Sequence, residues 1–401
     1  MSARRLPDAP WRHREGLATL ADALDMAGGA TRFVGGAVRD TLLGGAVTDI
    51  DLATRLAPDE VIERLKAATI RSVPTGLAHG TVTAVLPSGP VEVTTLRRDV
   101  STDGRHATIA FTDDWREDAM RRDFTINALY ADHPSGDIHD YFGGLDDLAA
   151  GVVRFIGDPY QRIAEDHLRI LRFFRFHARF GTTIDVVGLA ACTDRARDLM
   201  ALSRERIASE LTRLLVAKNA VPVVALMVER GIFLPVLPEI DQGGADRLAR
   251  LAQAEQAAAI EPNAIRRLAA LLPADPAIAD NVAARLKLSN ADRKRLAHAV
   301  SAPDETNPRA LAYRVGAESA VDQLLLAGRV DDAREIQGWQ PPRLPISGGA
   351  IVARGIDKGP QVARLLRAVE DQWVAEGFPD AERLTAIVDA AVAAARRDST
   401  S

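Results

Sequence analysis

A single cysteine, Cys192, occurs in 401 residues, so the chain cannot close a disulfide within itself and suits a reducing compartment. Long apolar runs are also missing. The longest, Val221–Val236, is broken by Pro222, Glu229, Arg230 and Pro235, which excludes a membrane-spanning helix. The first residues, MSARRLPDAPWRH, hold no apolar stretch of the kind a secretory signal needs, and a cytoplasmic location is expected. Neither charge sign dominates: 50 Lys and Arg stand against 55 Asp and Glu, a net charge of −5. That denies the overall basic balance common among nucleic-acid binders but says nothing about local tracks. Gly and Pro fall mainly in turns, and no low-complexity tract is present. No partner histidines follow His139-Asp140 at suitable spacing, which argues against a fused metal-dependent phosphatase. The length suggests two or three domains.

The richest segment is VGGAVRDTLLGGAVTDIDLAT, from Val34 to Thr54. Strand-like Arg32–Val34 leads into Gly35-Gly36, a short helical stretch over Ala37–Leu43 and then Gly44. Strand, glycine turn and helix start together offer backbone N–H groups to phosphates. Asp49 and Asp51 follow. On a strand, residues i and i+2 share a face, so the two carboxylates lie side by side, a pairing that asks for a cation. Two hard oxygen ligands beside a glycine turn suit Mg²⁺ carrying a nucleotide's phosphates. An Asp-x-Asp pair is more often a solvated loop, but apolar Ile50, Leu52 and Ala53 favour a strand.

Further blocks carry charge in patterned form. Arg121-Arg122-Asp123-Phe124-Thr125-Ile126-Asn127-Ala128-Leu129 joins two guanidinium groups, suited to triphosphate oxygens, to Asp123 and Asn127, either of which can hydrogen-bond a ribose hydroxyl. Taken alone, the same block reads as a helix start capped by Asp123. Asp140–Leu148 reads as a glycine turn with a capping residue. From Asp158-Pro159 one helix is expected to run to Gly181, with Ile163, Leu168, Leu171, Phe174 and Ala178 on its apolar face. Glu165, Asp166 and Arg169 share a patch, and Arg172, Arg175 and Arg179 extend a cationic stripe, although i,i+4 ion pairs on a surface helix give the same pattern. Gly80–Leu86 and Val91–Arg97 read as a hairpin about Pro87–Pro90, with Glu92 a lone acid among uncharged neighbours. Arg98–Glu117, including Asp103-Gly104-Arg105-His106, reads as a charged loop poor in core residues. Beyond Gly181 mostly helices are expected. They include Leu202–Ala217 with Ser203 as cap, Val221–Glu229, Ala245–Ala259, Pro262–Leu272, Ala279–Leu286 and Ala291–Val300. Glycine turns at Ile346–Gly349 and Gly355–Pro360 precede a last helix at Gln361–Glu376.

Taken in order, these blocks resemble the class II tRNA nucleotidyltransferase and bacterial poly(A) polymerase family, within the polymerase-β-like nucleotidyltransferases. Gly35, Gly36, Arg39, Asp40, Leu43, Gly44, Asp49 and Asp51 match the catalytic core. RRDFTINA matches the nucleotide-binding motif, which implies nucleotide contacts from Arg121, Arg122, Asp123 and Asn127 beside Gly36 and Arg39. DYFGGLDDL matches a mainly structural connector. EDxxR, at Glu165, Asp166 and Arg169, followed by its Leu-Arg-Phe run, matches the base-selecting motif, with Arg172 and Arg175 added to the nucleotide-binding set. The likeness is strong from Arg32 to Gly181, weaker to Pro238 and faint beyond, where GIDKGPQVARLL resembles a tail found in some members.

The resemblance implies an α+β N-terminal nucleotidyltransferase head (15–145), a small mixed sheet with flanking helices, followed by an all-α neck (146–217) and a helical body and tail (218–401). It implies C and A addition to the tRNA 3′ end from CTP and ATP, with pyrophosphate release and two Mg²⁺ ions held by Asp49 and Asp51. A third catalytic carboxylate is expected, and Glu92 is assigned to it. An acidic acceptor, Asp166, and a donor, Arg169, can meet the exocyclic amine and ring nitrogen shared by cytosine and adenine, while Glu165 orients Arg169. Arg162, Arg169, Arg172, Arg175 and Arg179 form a local cationic track for the tRNA acceptor end. A poly(A) polymerase, an enzyme adding only CC or only A, and an inactive RNA-binding module are the alternatives. No protein partner is evident.

Overall fold

A computed structural model of the protein describes residues 5–102, 107–357 and 359–398; the expected Asp103–His106 loop and Lys358 of the second glycine turn lie outside them. The chain forms two compact units, Met1–Val236 and Leu237–Ser401. The first contains a seven-stranded mixed sheet. In chain order its early elements are α1 (Leu17–Ala23), β1 (Thr31–Val34), α2 (Gly36–Leu42), β2 (Asp51–Thr54), α3 (Pro58–Ala67), β3 (Arg71–Gly76), β4 (Thr81–Leu86) and β5 (Gly89–Thr95). A separate hairpin, β6 (Arg97–Thr102) and β7 (Ala107–Phe111), follows; then come α4 (Trp115–Met120), β8 (Leu129–Ala131), β9 (Ile138–Asp140) and α5 (Gly144–Ala149). The sheet runs β3-β4-β5-β2-β1-β8-β9, with β2 and β5 parallel and the other neighbours antiparallel.

Alternation sets which side chains face the core. In β5, Val91, Val93 and Thr95 are buried while Glu92 between them is exposed. The lead into β2 behaves likewise: Ile50 is buried, and its carbonyl already accepts from the Glu92 N–H at 3.1 Å. Asp49 and Asp51 flank it on the other side of the chain. The strand proper begins at Asp51, so Asp49 stands in the extended approach to it. The β4–β5 hairpin turns tightly at Pro87-Ser88, with Leu86 opposite Gly89.

Two expectations are corrected here. Arg98–Glu117 is not a featureless loop: its first half continues as β6, pairs with β7 and is followed by α4. The β-branched and aromatic residues of ATIAF favour a strand despite the charged neighbours. The block after Arg122 starts no helix. Thr125–Asn127 makes one 3₁₀ turn and the chain passes into β8, where Leu129, Tyr130 and Ala131 are all buried.

Helices α6 (Pro159–Glu165), α7 (Arg169–Phe180), α8 (Val186–Asp194), α9 (Arg204–Leu215) and α10 (Ala220–Glu229) complete the first unit. The single helix expected from Asp158 to Gly181 is therefore two. Asp158 caps the first as expected, accepting from the Tyr160 N–H at 3.1 Å. The break falls at Asp166, whose backbone is extended (φ −152°, ψ 106°) and whose carboxylate accepts from the Leu168 N–H at 3.1 Å. A short acid that can bond its own downstream backbone competes with the helix at this point. Ser203 precedes α9 without a side-chain cap hydrogen bond.

The second unit is helical among its described residues, from Gln242–Ala258 to Ala381–Asp398. Its interior carries paired charges: Glu255 accepts from Arg266 and Arg267, each at 2.9 Å, and fully buried Asp322 accepts from Arg295 at 2.6 Å. Among the described residues no helix is long and apolar enough to cross a membrane.

Candidate active site

Gly35 turns the chain between β1 and α2 with φ +68°, a conformation that favours glycine. A Cβ there would meet Arg122 Nη1 and the Asn127 carbonyl at 3.5 Å each. Gly35 and Gly36 form one edge of a cavity of about 350 Å³ that also draws on Asp51, Asp123, Asp166 and four arginines, Arg39, Arg122, Arg169 and Arg172. Segments more than a hundred residues apart thus supply one polyanion-sized, charge-lined space.

The acid edge is set by sheet register. Asp51 pairs directly with Glu92 across the parallel β2–β5 ladder, and in-register neighbours of a sheet share a face. The sequence patterns of two separate strands could not show that coincidence. Burial, then the Glu92 charge, and lastly that of Asp49 push the Asp51 carboxyl above the usual range, against the pull of Arg122. Asp49 is exposed, its carboxylate accepting from the Thr48 hydroxyl at 3.1 Å, and neither it nor Glu92 lines the cavity. Oxygen ligands under mutual repulsion, beside arginines that can hold phosphates, match the chemistry of a hard divalent cation. Among the described residues no three Asp, Glu, His or Cys side chains gather closely enough to enclose a metal ion by themselves.

Arg121 and Arg122 are organised by Asp118, a residue the sequence reading passed over. This carboxylate, 1% exposed, accepts from Arg121 Nε at 2.9 Å, Arg122 Nη2 at 3.2 Å and the Tyr130 hydroxyl at 2.6 Å. Burial alone would raise its pKa, but the charges of Arg122 and Arg121 and the Tyr130 hydrogen bond hold it at about 2. Arg122 then lines the cavity. Arg121 does not: its side chain turns to Asp118, and its carbonyl instead accepts from Arg162 at 2.7 Å and Arg169 at 3.1 Å.

Asp123 and Asn127, expected at a ribose, are committed to protein partners. Asp123 Oδ1 accepts from the Phe124 N–H and from Asn127 Nδ2, each at 2.9 Å; its Oδ2 accepts from Arg172 Nε at 2.7 Å. Burial opposes its charge, yet Arg172 and these hydrogen bonds keep the carboxyl near a pKa of about 2. Arg172 is raised in turn, Asp123 and Glu210 outweighing its burial. Asn127 Oδ1 accepts from Arg39 Nη1, and Arg39 also donates to Asp40 at 2.8 Å. Burial lowers the Arg39 pKa.

At the far wall stand Asp166 and Arg169, the two residues expected to read the base. Arg169 Nη1 is saturated by the Glu165 carboxylate at 2.6 Å and the Arg162 carbonyl at 2.8 Å, so Glu165 fixes this fork from one turn away. The helix break sets Asp166 toward the cavity, where Arg206 of α9 clasps both carboxylate oxygens at 3.1 and 2.9 Å. Arg175 leaves the group: it pairs with buried Glu210 and lies 4.2 Å over the Phe176 ring. Phe176, absent from the sequence reading, lines the cavity in its place, seven residues after Arg169 and four after Arg172. Helical spacing, counted from Arg169, was the signal for it.

Two family models match parts of the chain. Residues 31–154 match the poly A polymerase head domain, and residues 182–243 match a probable RNA and SrmB-binding site of polymerase A. Human mitochondrial CCA tRNA nucleotidyltransferase 1 is 35% identical over 390 residues, covering 91% of this chain and 87% of the relative. The CCA-adding enzyme of Limosilactobacillus fermentum is 32% identical, covering 88% and 90%. The structure of Bacillus stearothermophilus CCA-adding enzyme in complex with CTP aligns with a TM-score of 0.75 at 26% identity, covering 98% of this chain and all of that one. That of Thermotoga maritima CCA-adding enzyme complexed with tRNA, at 19% identity and a TM-score of 0.69 over 96% of each chain, is a likeness of fold. A relative matched at this identity along nearly its whole length, over a head of the same pattern, settles kinship: the chain belongs to the CCA-adding enzyme and poly(A) polymerase family.

Proposed function

We propose that this protein adds C, C and A to the 3′ end of tRNA, drawing on CTP and ATP and releasing pyrophosphate at each step. The observation that carries the reading is the single cavity joining an acidic sheet edge, Asp51 with Glu92 beside it, to the Asp166–Arg169 pair. The family uses a divalent metal; we take it to be Mg²⁺, which Asp49 and Asp51 would hold. When bound there, such an ion would supply positive charge to acidify the RNA 3′-hydroxyl and to offset the charge of the departing pyrophosphate.

The remaining work falls to side chains. The 3′-oxygen bonds to the α-phosphorus as the bond to pyrophosphate breaks, and the hydroxyl proton is lost toward the acidic edge where Glu92 stands. Arg122, steadied by Asp118, faces the triphosphate, and Arg172, steadied by Asp123, adds a second cation. Asp166 accepts the exocyclic amine of cytosine or adenine, while Arg169 donates to the ring nitrogen. Because Asp166 is clasped by Arg206, the base shares that carboxylate with a guanidinium and reads an oriented acceptor. Positioning and charge complementarity provide the acceleration, without a covalent intermediate.

In this reading residues 15–145 are the catalytic head, 146–217 the neck that selects the base, and 218–401 a body and tail that hold tRNA. The compartment is the cytoplasm, which suits the one buried thiol, Cys192, although the human relative is named mitochondrial. Purified protein incubated with Mg²⁺, both nucleotides and a tRNA transcript ending at its discriminator base should yield 3′ ends that sequence as CCA and stop. Long A tracts, or A added without prior C, would overturn the assignment.

A further inference from the structure

A second concavity in the first unit, of about 480 Å³, is lined by Arg175, Arg179, Arg213 and Lys218 with no acid among its lining residues. Two of these cations have carboxylate partners: Arg175 with Glu210, and Arg179 with Asp40 at 3.1 Å. Arg213, in the last turn of α9, and Lys218, just beyond it, are exposed and make no hydrogen bond or ion pair among the described residues. The Arg213 charge acts directly against that of Arg175. A helix C-terminus attracts cations, but its dipole amounts to about half a charge confined to the last turn. Two unpartnered cations beside two more exceed what that half charge neutralises. Val216 and Ala217 are the two apolar residues that line it. The site is built for charge.

We infer that this concavity seats a backbone phosphate of the RNA strand being extended, upstream of its 3′ end. The inference rests on the proposed tRNA reaction and goes beyond it in naming which cations hold the strand. The cationic stripe expected from sequence is largely spent on the protein itself: Arg162, Arg169, Arg172 and Arg175 all bond to carbonyls or carboxylates of the first unit. The unpartnered charge lies one helix away, on Arg213 and Lys218. Helix α7 connects the two sites, with Arg172 at the nucleotide cavity and Arg179 at this one. Seven residues of helix rise about 10 Å, which a stacked strand covers in about three nucleotides. A phosphate held here would lie upstream of the growing end, fixing the strand while the end itself moves.

The test is the double variant Arg213→Glu, Lys218→Glu in the full chain, with Arg213→Ala, Lys218→Ala as a milder companion. Incorporation kinetics should show KM for tRNA raised about tenfold or more and KM for CTP unchanged. Anisotropy of a labelled acceptor-stem hairpin should lose about one unit of the salt slope, the signature of one phosphate contact removed. Unchanged KM for tRNA together with an unchanged slope overturns the inference, even where the wild type adds CCA normally. A wild type that binds the hairpin but adds nothing overturns the proposed reaction instead, and the binding arm still scores these two residues. Melting temperatures equal to wild type are expected, since both side chains are exposed; a drop in melting with full tRNA affinity counts against the inference.

Discussion

Asp51 is held where its charge is costly. Burial and the Glu92 carboxylate raise its pKa, so in the metal-free protein its ionised form is disfavoured in the fold. An acid with a raised folded pKa contributes stability below its ordinary value that is lost as pH rises through the folded one. Asp51→Asn should therefore melt no lower than wild type at pH 7, and the two should converge below about pH 4; a clear loss of melting temperature would contradict this. Asp118 has the opposite sign. Its pKa near 2 means stability present above the ordinary carboxylate value and lost as pH falls toward 2. Asp118→Asn should cost about 2 kcal/mol at pH 7 and raise KM for both nucleotides by loosening Arg122, an effect that denaturant melts and kinetics can read together. Arg169→Ala should relax the preference for C and A over U and G more than it weakens triphosphate binding; unaltered selectivity in competition assays would remove Arg169 from base reading. At this scale the sequence disclosed residue types but not commitments. Arg121 and Arg122 are indistinguishable as letters, yet only one faces the cavity, because both must share Asp118. Likewise Asp123 and Asn127 carry the right groups, and the fold spends most of them on Arg172 and Arg39.

Among elements, the join between α6 and α7 matters most. HLR after Asp166 suits a continuing helix, so nothing in the apolar spacing marks the break; it arises from the Asp166 side chain bonding the Leu168 N–H and from Arg206 reaching over from α9. The strands were easier to read. The β4–β5 hairpin and the strand after the glycine turn follow from alternation and turn residues, whereas β6 is masked by its charges and declares itself only through its pairing with β7. Register, the fact that sets Glu92 beside Asp51, depends on long-range pairing that one sequence does not display. Helices α7 and α9 are held by the Arg175–Glu210 pair, both residues buried. Removing one partner of such a pair leaves an unmatched buried charge, so Glu210→Ala should destabilise the first unit by about 3 kcal/mol. Chemical denaturation would show it, and Glu210→Ala with Arg175→Met should recover much of the loss.

For the whole molecule, a net charge of −5 coexists with an uncompensated cationic seat on the first unit. Sign and position, not the sum, govern how a polyanion approaches, and RNA affinity should fall steeply as salt rises. The boundary between the two compact units falls after Val236, whereas the body is expected from 218, just past the helix expected to end at Ala217. In the proposed reaction Asp51 acts with its neighbouring acids in nucleotide transfer. Single-turnover incorporation of labelled CTP into tRNA, measured for wild type and Asp51→Asn at equal tRNA occupancy, tests it most directly. Transfer should fall at least a thousandfold with tRNA affinity unchanged; transfer within tenfold of wild type would overturn the role of Asp51.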